Sequence, residues 1–216
     1  MQQILVYADS LSWGIVPNTR RRLAFEERWP GVLERTLLGR GRSVRVIEDC
    51  LNGRRTVFED PFLPGRNGLL GLGQKIEMHS PLALVIVMLG TNDFQSVHPH
   101  NAWHAAQGVG ALVKTIRQAP LEPGMPVPPV LVVVPPLIGA PQGAIAGKFA
   151  GAELKCAGLA QAYRDVCVPL DCPVFDAGSV TTSSRVDGVH LDSDQHLLLG
   201  KSLADVVVDM ISGAAK

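Results

Sequence analysis

The chain has 216 residues, with 20 basic and 20 acidic side chains and a formal net charge of zero. Hydrophobic residues make up 46% and charged residues 19%, a balance that buries a core and excludes wholesale disorder, while zero net charge leaves no electrostatic footprint for a nucleic acid. The longest uninterrupted apolar run, residues 82–89, falls far short of the roughly 20 apolar residues that a membrane-spanning helix needs.

The N-terminus, Met1-Gln2-Gln3, has neither a basic leader nor a long apolar segment, so no signal peptide is expected and a cytoplasmic setting is. Residues 4–7 form the first apolar run and read as a strand that stops at Asp9. Residues 25–38 place Phe25, Trp29, Val32, Leu33 and Leu37 near helical spacing. A second strand is expected over 44–47. The stretch 68–73 is a scrambled version of a dinucleotide fingerprint but follows no strand directly, and is discounted. Residues 84–89 form a strand that is apolar on both faces, as a central strand covered by helices should be.

Helical spacing returns over 103–116, with Trp103, Ala106, Val109, Val113 and Ile116. A fourth strand is expected over 130–134, inside a region rich in Pro and Gly. Residues 143–148 are a near miss for a phosphate-binding loop: the spacing is short by one, and Phe149 stands where Ser or Thr must hold magnesium. Residues 152–168 read as an Ala- and Leu-rich helix, 174–175 as a fifth strand, and 195–211 as a closing helix carrying Leu199, Leu203, Val206, Val207 and Met210. The alternation predicts one α/β domain over 1–216 with a parallel sheet. Cys50, Cys156, Cys167 and Cys172 lack zinc or C-x-x-C spacing and read as reduced, mostly buried thiols.

In open α/β sheets the ligand crevice lies beyond the carboxyl ends of the strands. The five strand ends here deliver Asp9-Ser10, Asn52-Gly53, Gly90-Thr91-Asn92-Asp93, Pro135-Pro136-Leu137 and, after a loop, Asp187-Gly188-Val189-His190. This is an inventory for acyl transfer through a serine. A hydroxyl is a weak nucleophile and needs a base, which His190 supplies. The imidazole needs an acceptor on its other nitrogen, for which Asp187, three residues away, Asp192 and Asp194 all stand close enough in sequence. A developing oxyanion needs preorganised donors: the amides of Ser10 and Gly53 and the side chain of Asn92.

These four blocks, Asp9-Ser10-Leu11, Gly53, Gly90-Thr91-Asn92-Asp93 and Asp187-Gly188-Val189-His190, resemble those of the SGNH hydrolases, or GDSL-type esterases. Each block alone is weak; the four in order at strand ends are strong. The resemblance implies a flavodoxin-like three-layer α/β/α sandwich with five parallel strands in the order 2-1-3-4-5. It assigns Ser10 as nucleophile, His190 as base with Asp187 as its partner, and Ser10, Gly53 and Asn92 to the oxyanion hole. The segments from Asp9 to Pro17, Arg28-Trp29, Met88-Leu89 and Pro135-Pro136-Leu137 are similar to the bacterial arylesterase/acyltransferase branch. That branch implies short-chain or aryl ester substrates, water or an alcohol as acceptor, and a homo-oligomer. One departure is Ala8, where the family usually has Gly before Asp-Ser.

No metal or other cofactor is expected. His98, His100 and His104 have no third-ligand spacing and read as solvent-facing or as the rim of the site. Arg20-Arg21-Arg22 reads as a solvated face or a subunit contact. Asp9 and Asp93 read as braces of their loops. Trp13 and Phe94 flank the blocks and are candidate pocket residues. A neutral, apolar-rich chain suits a small, dry acyl pocket. Alternatives on the same triad are a carbohydrate acetylesterase or a thioesterase; from another class, a non-catalytic flavodoxin-like binding module.

Overall fold

A computed structural model of the chain describes residues 1–213. In chain order the elements are β1 (Gln2–Ala8), α1 (Ser10–Trp13), α2 (Trp29–Gly39), β2 (Val44–Cys50), α3 (Leu72–His79), β3 (Leu84–Met88), α4 (Ala102–Arg117), β4 (Val130–Val134), α5 (Ala152–Lys155), α6 (Leu159–Cys167), β5 (Val174–Asp176) and α7 (Ser193–Gly213). The five strands are parallel in the order β2-β1-β3-β4-β5.

The runs of Ile, Leu and Val explain which strands are central. Every residue of β3 and β4 is buried, and β1 is buried from Ile4 to Ala8. β2 at one edge alternates, with Val44 and Val46 buried and Arg45 exposed. Fully burying such a side chain stabilises by about 1.5–3 kcal/mol. α2 packs against α7, whereas α4 packs against α3 and α6. The chain steps outward from β1 to β2 and then back across to β3, β4 and β5. With right-handed crossovers this reversal puts the two helix groups on opposite faces, which makes the expected three-layer sandwich.

The reversal matters for function. Ala8 pairs with Cys50 on one side and Met88 on the other, so β1, β2 and β3 end at one level. The crevice expected at a topological switch point opens there.

Four local expectations differ. The helix predicted from residue 25 begins at Trp29, because Pro30 sits in its first turn, where it can start a helix but not interrupt one. Gly158, at φ +77°, divides the helix predicted over 152–168 into α5 and α6. The short α3 escapes sequence reading because it buries only Leu72 and Ile76, one turn apart. Trp103, placed on the apolar stripe of its helix, lies in the first turn of α4 and is 60% exposed.

Candidate active site

Ser10 stands one residue beyond the end of β1. Asp9 caps α1, accepting a 2.9 Å hydrogen bond from the Leu11 amide, and Ser10 is the first residue of that single turn. A chain leaving a strand and turning at once into a helix must present its first helical residue at the strand's carboxyl end. Ala8 is buried and lies outside the left-handed backbone region, so the place of the family's usual Gly accepts a Cβ without strain. Its carbonyl accepts from the Leu51 amide and from Arg54 Nη1.

His190 comes from the segment between β5 and α7, 180 residues away in sequence, and its Nε2 lies 3.2 Å from Ser10 Oγ. Its Nδ1 lies 2.7 Å from Asp187 Oδ2. A carboxylate only accepts, so Nδ1 carries the proton and donates it to Asp187, which leaves Nε2 as acceptor for the serine hydroxyl. Asp187 Oδ1 accepts from the Val189 and His190 amides, each at 2.9 Å, and Oδ2 also accepts from the Asn18 amide at 3.2 Å. Desolvation pushes its carboxyl up, but the hydrogen bond and charge of His190 and the two amides outweigh it and hold it at about 2. Asp192 and Asp194 are engaged elsewhere, accepting from Ser184 Oγ and the Gln195 amide.

The turn that brings His190 over Ser10 depends on Gly188. Its φ is +77°, and a Cβ there would stand 2.2 Å from the Ala140 carbonyl oxygen. Its own amide donates to Ser184, and its carbonyl accepts from Gly139.

Two residues that line the same crevice have unpaired amides: among the described residues, neither Ser10 N–H nor Gly53 N–H donates a hydrogen bond. Gly53 holds φ +82°, a region that disfavours other residues. Asn92 is brought in from the end of β3, but its Nδ2 donates to Asp9 Oδ2 at 3.0 Å and to the Arg54 carbonyl at 3.2 Å. Both of its amide protons are thus engaged in the resting site. Gln95 Nε2 donates to Asn92 Oδ1, which fixes the orientation of the amide.

Beneath this layer lies a buried polar frame. Arg55 is fully buried and donates to the Asn92 and Glu59 carbonyls, to Asp60 and to Gln95. Asp93 accepts from the amide and hydroxyl of Thr56. Desolvation raises the Asp9 carboxyl to about 6 and that of Asp93 to about 7. The bracing role expected of both aspartates is realised, and Asp9 adds a bond to Asn92 that the sequence does not reveal. Asn18 was also missed. It stands in left-handed backbone at φ +55°, a conformation Asn tolerates well, and its position after Pro17 was the available turn signal.

Ser10, Gly53, Asn92, Asp187 and His190 all line one cavity of about 480 Å3. Neither expected pocket residue lines it. Phe94 is fully buried in the core, and Trp13 lies under the Arg22 guanidinium, 4.7 Å from its ring centre. Adjacency to a motif in sequence does not set the direction of a side chain. The apolar wall is instead Ile15, Leu63, Ile145 and Phe149, and the same cavity is lined by Arg20, Arg66 and Lys148. The small, dry pocket expected from composition is therefore partly cationic.

His98, His100 and His104 do gather, but as packed rings, with His98 stacked on His100, and His104 tilted against it. His98 and His100 lie 4.6 Å apart, with Phe58 3.7 Å from His100. Among the described residues, no set of three His, Cys, Asp or Glu side chains is placed to hold a metal ion. No helix among them is long and apolar enough to cross a membrane.

The model of the GDSL-like lipase/acylhydrolase family matches residues 9–198, which spans every site residue above. The chain belongs to this family. It is accordingly a carboxylic ester hydrolase. Among solved structures, the family member is similar to the M. smegmatis aryl esterase, with 35% identity, coverage of 97% of this chain and 100% of that one, and a TM-score of 0.91. It is also similar to a carbohydrate acetylesterase family member from Sinorhizobium meliloti, with 37% identity, coverage of 98% and 100%, and a TM-score of 0.91. These likenesses agree with the arylesterase branch read from the sequence. No curated protein sequence matches the chain.

Proposed function

We propose that Ser10, His190 and Asp187 carry the ester hydrolysis. The observation that carries the reading is the continuous contact from Asp187 through His190 to Ser10, at 2.7 and 3.2 Å, on a cavity wall. Ser10 Oγ attacks the ester carbonyl as its proton passes to His190 Nε2. The tetrahedral oxyanion rests on the Ser10 and Gly53 amides, and on Asn92 once its longer bond to the Arg54 carbonyl gives way. The C–O bond to the alcohol breaks as His190 returns the proton to the leaving oxygen. Water then attacks the acyl-enzyme by the same route, releasing the acid and restoring Ser10.

The substrates are small carboxylic esters with short-chain or aryl groups, and an alcohol can replace water as acceptor. The cavity of about 480 Å3 supports a small ester. The likeness to a carbohydrate acetylesterase family member favours an acetylated sugar as the second reading. We read the chain as one domain over 1–216, acting as a homo-oligomer. Exposed Leu137 and Trp103 support a subunit contact. Four free thiols support a reducing, cytoplasmic setting.

The test is Ser10→Ala with p-nitrophenyl acetate, alongside fluorophosphonate labelling of the unmodified protein. Loss of several orders of magnitude in kcat and covalent modification at Ser10 are expected. Hydrolysis retained by the variant overturns the assignment. A failure to label Ser10 favours a binding module.

A further inference from the structure

Three cationic side chains from three separate loops line the cavity that holds Ser10. Arg20 comes from the segment after α1, Arg66 from the loop between β2 and α3, and Lys148 from the segment after β4. The cavity lining contains one carboxylate, Asp187, and it is bound to His190. None of the three cations has a carboxylate within ion-pair distance among the described residues.

Arg66 is held at the reacting end of the cavity. Its Nε donates to the Asn52 carbonyl at 2.9 Å, and its Nη1 reaches the Pro64 carbonyl at 3.4 Å; both acceptors are neutral. Its Cδ and Nε lie 3.7 Å from the point where a Cβ on Gly53 would stand. Asp60 is the opposite charge that acts most strongly on Lys148, but that carboxylate is engaged by Arg55 and by the Phe62 and Leu63 amides. Lys148 is held below its ordinary value, first by desolvation and then, against Asp60, by the charges of Arg55, Arg20 and Arg66. Lys148 thus lies within electrostatic reach of both Arg20 and Arg66.

A chain with as many acids as bases can intersperse them, and mutually repelling cations without counter-ions are costly to gather. A cleft lined by one sign of charge concentrates ligands of the other. Building on the esterase reading above, we infer that the preferred substrates are esters bearing an anionic group, a carboxylate or a phosphate, on the acyl or the leaving portion, bound by Arg20, Arg66 and Lys148. Neutral esters are accepted through the apolar wall but gain nothing from the cations.

Two matched pairs test this: mono-p-nitrophenyl adipate against p-nitrophenyl hexanoate for the acyl side, and p-acetoxybenzoate against p-acetoxybenzamide for the leaving side. Partly exposed ion pairs contribute up to about fivefold each, so about a tenfold excess in kcat/KM for the anionic member of at least one pair is expected at low salt. In about 1 M NaCl, where the screening length is about 3 Å, that ratio falls towards one. The Arg20→Gln/Lys148→Gln double variant lowers the same ratio at low salt. Ratios at or below one in both pairs, or an excess that neither salt nor the variant reduces, overturn the subsite while neutral-ester hydrolysis keeps the esterase reading. Failure to hydrolyse all four esters, with no labelling of Ser10, overturns both.

Discussion

The Asn92 side-chain amide donates to the Asp9 carboxylate across 3.0 Å, tying the loop after β3 to the residue that precedes Ser10. Asp9 also caps α1 through the Leu11 amide. One buried carboxylate therefore sets both the turn that presents the nucleophile and the orientation of a proposed oxyanion donor. An amide in its place has one acceptor oxygen for these two donors. Asp9→Asn is expected to lower kcat by about 10- to 100-fold, part of the 10²–10³ seen when an oxyanion donor is removed, with a smaller change in KM. Steady-state kinetics on p-nitrophenyl acetate measures it, and an unchanged kcat removes Asp9 as a positioning residue.

Asp187 holds the imidazole so that Nδ1 donates and Nε2 accepts. Asp187→Asn keeps the volume but can present an N–H to His190, which favours the tautomer with its proton on the wrong nitrogen. The expected fall in kcat/KM is about 10³- to 10⁴-fold, on the precedent of the same change in a serine protease triad. A fall of less than tenfold excludes the orienting role.

Acid stability reflects two opposed linkages. The Asp9 and Asp93 carboxyls titrate near 6 and 7 in the folded chain, above their ordinary value of 3.8. Their contribution is fully present below 3.8 and lost as pH rises through those values. His196, buried and accepting from the Trp29 amide through Nδ1, is held down at about 3 by desolvation; its contribution is present above the ordinary 6.5 and lost as pH falls. Asp93→Asn removes part of the first and leaves the second. Between pH 7 and 4 the urea midpoint of that variant is expected to fall more steeply than that of the unsubstituted protein. Parallel curves by circular dichroism argue against this linkage.

Gly188→Ala places a methyl group 2.2 Å from the Ala140 carbonyl in left-handed backbone. The backbone conformation alone costs on the order of 1 kcal/mol, and relieving the overlap moves the segment carrying His190. Both a lower melting temperature, by several degrees or more, and a loss of kcat are expected. A variant with unchanged melting temperature and activity shows that the turn has another way to close.

Much of the fold was legible because its signals are local. Residues 84–89 and 130–134 are continuous apolar runs, and such runs form strands buried on both faces wherever they sit. The motif residues were legible for a related reason, since each block stands within a few residues of a strand end. The misses lie where neighbours decide. Only the structure turns Phe94 into the core and Trp13 under Arg22. Gly158 breaks a helix that Ala and Leu favour, and α3 is too short to show a period.

The sequence by itself determined the alternation of strands and helices, the blocks at the strand ends and the balance of charges. Local preference and apolar patterning suffice for these. Only the tertiary structure decided that Ser10 and His190, 180 residues apart, meet at 3.2 Å, and that Asn92 is held by Asp9. It also decided that a chain of zero net charge gathers Arg20, Arg66 and Lys148 around one cavity. Net charge is a sum over residues, whereas a site feels the distances between them, and those distances are set by how the loops above the sheet pack together.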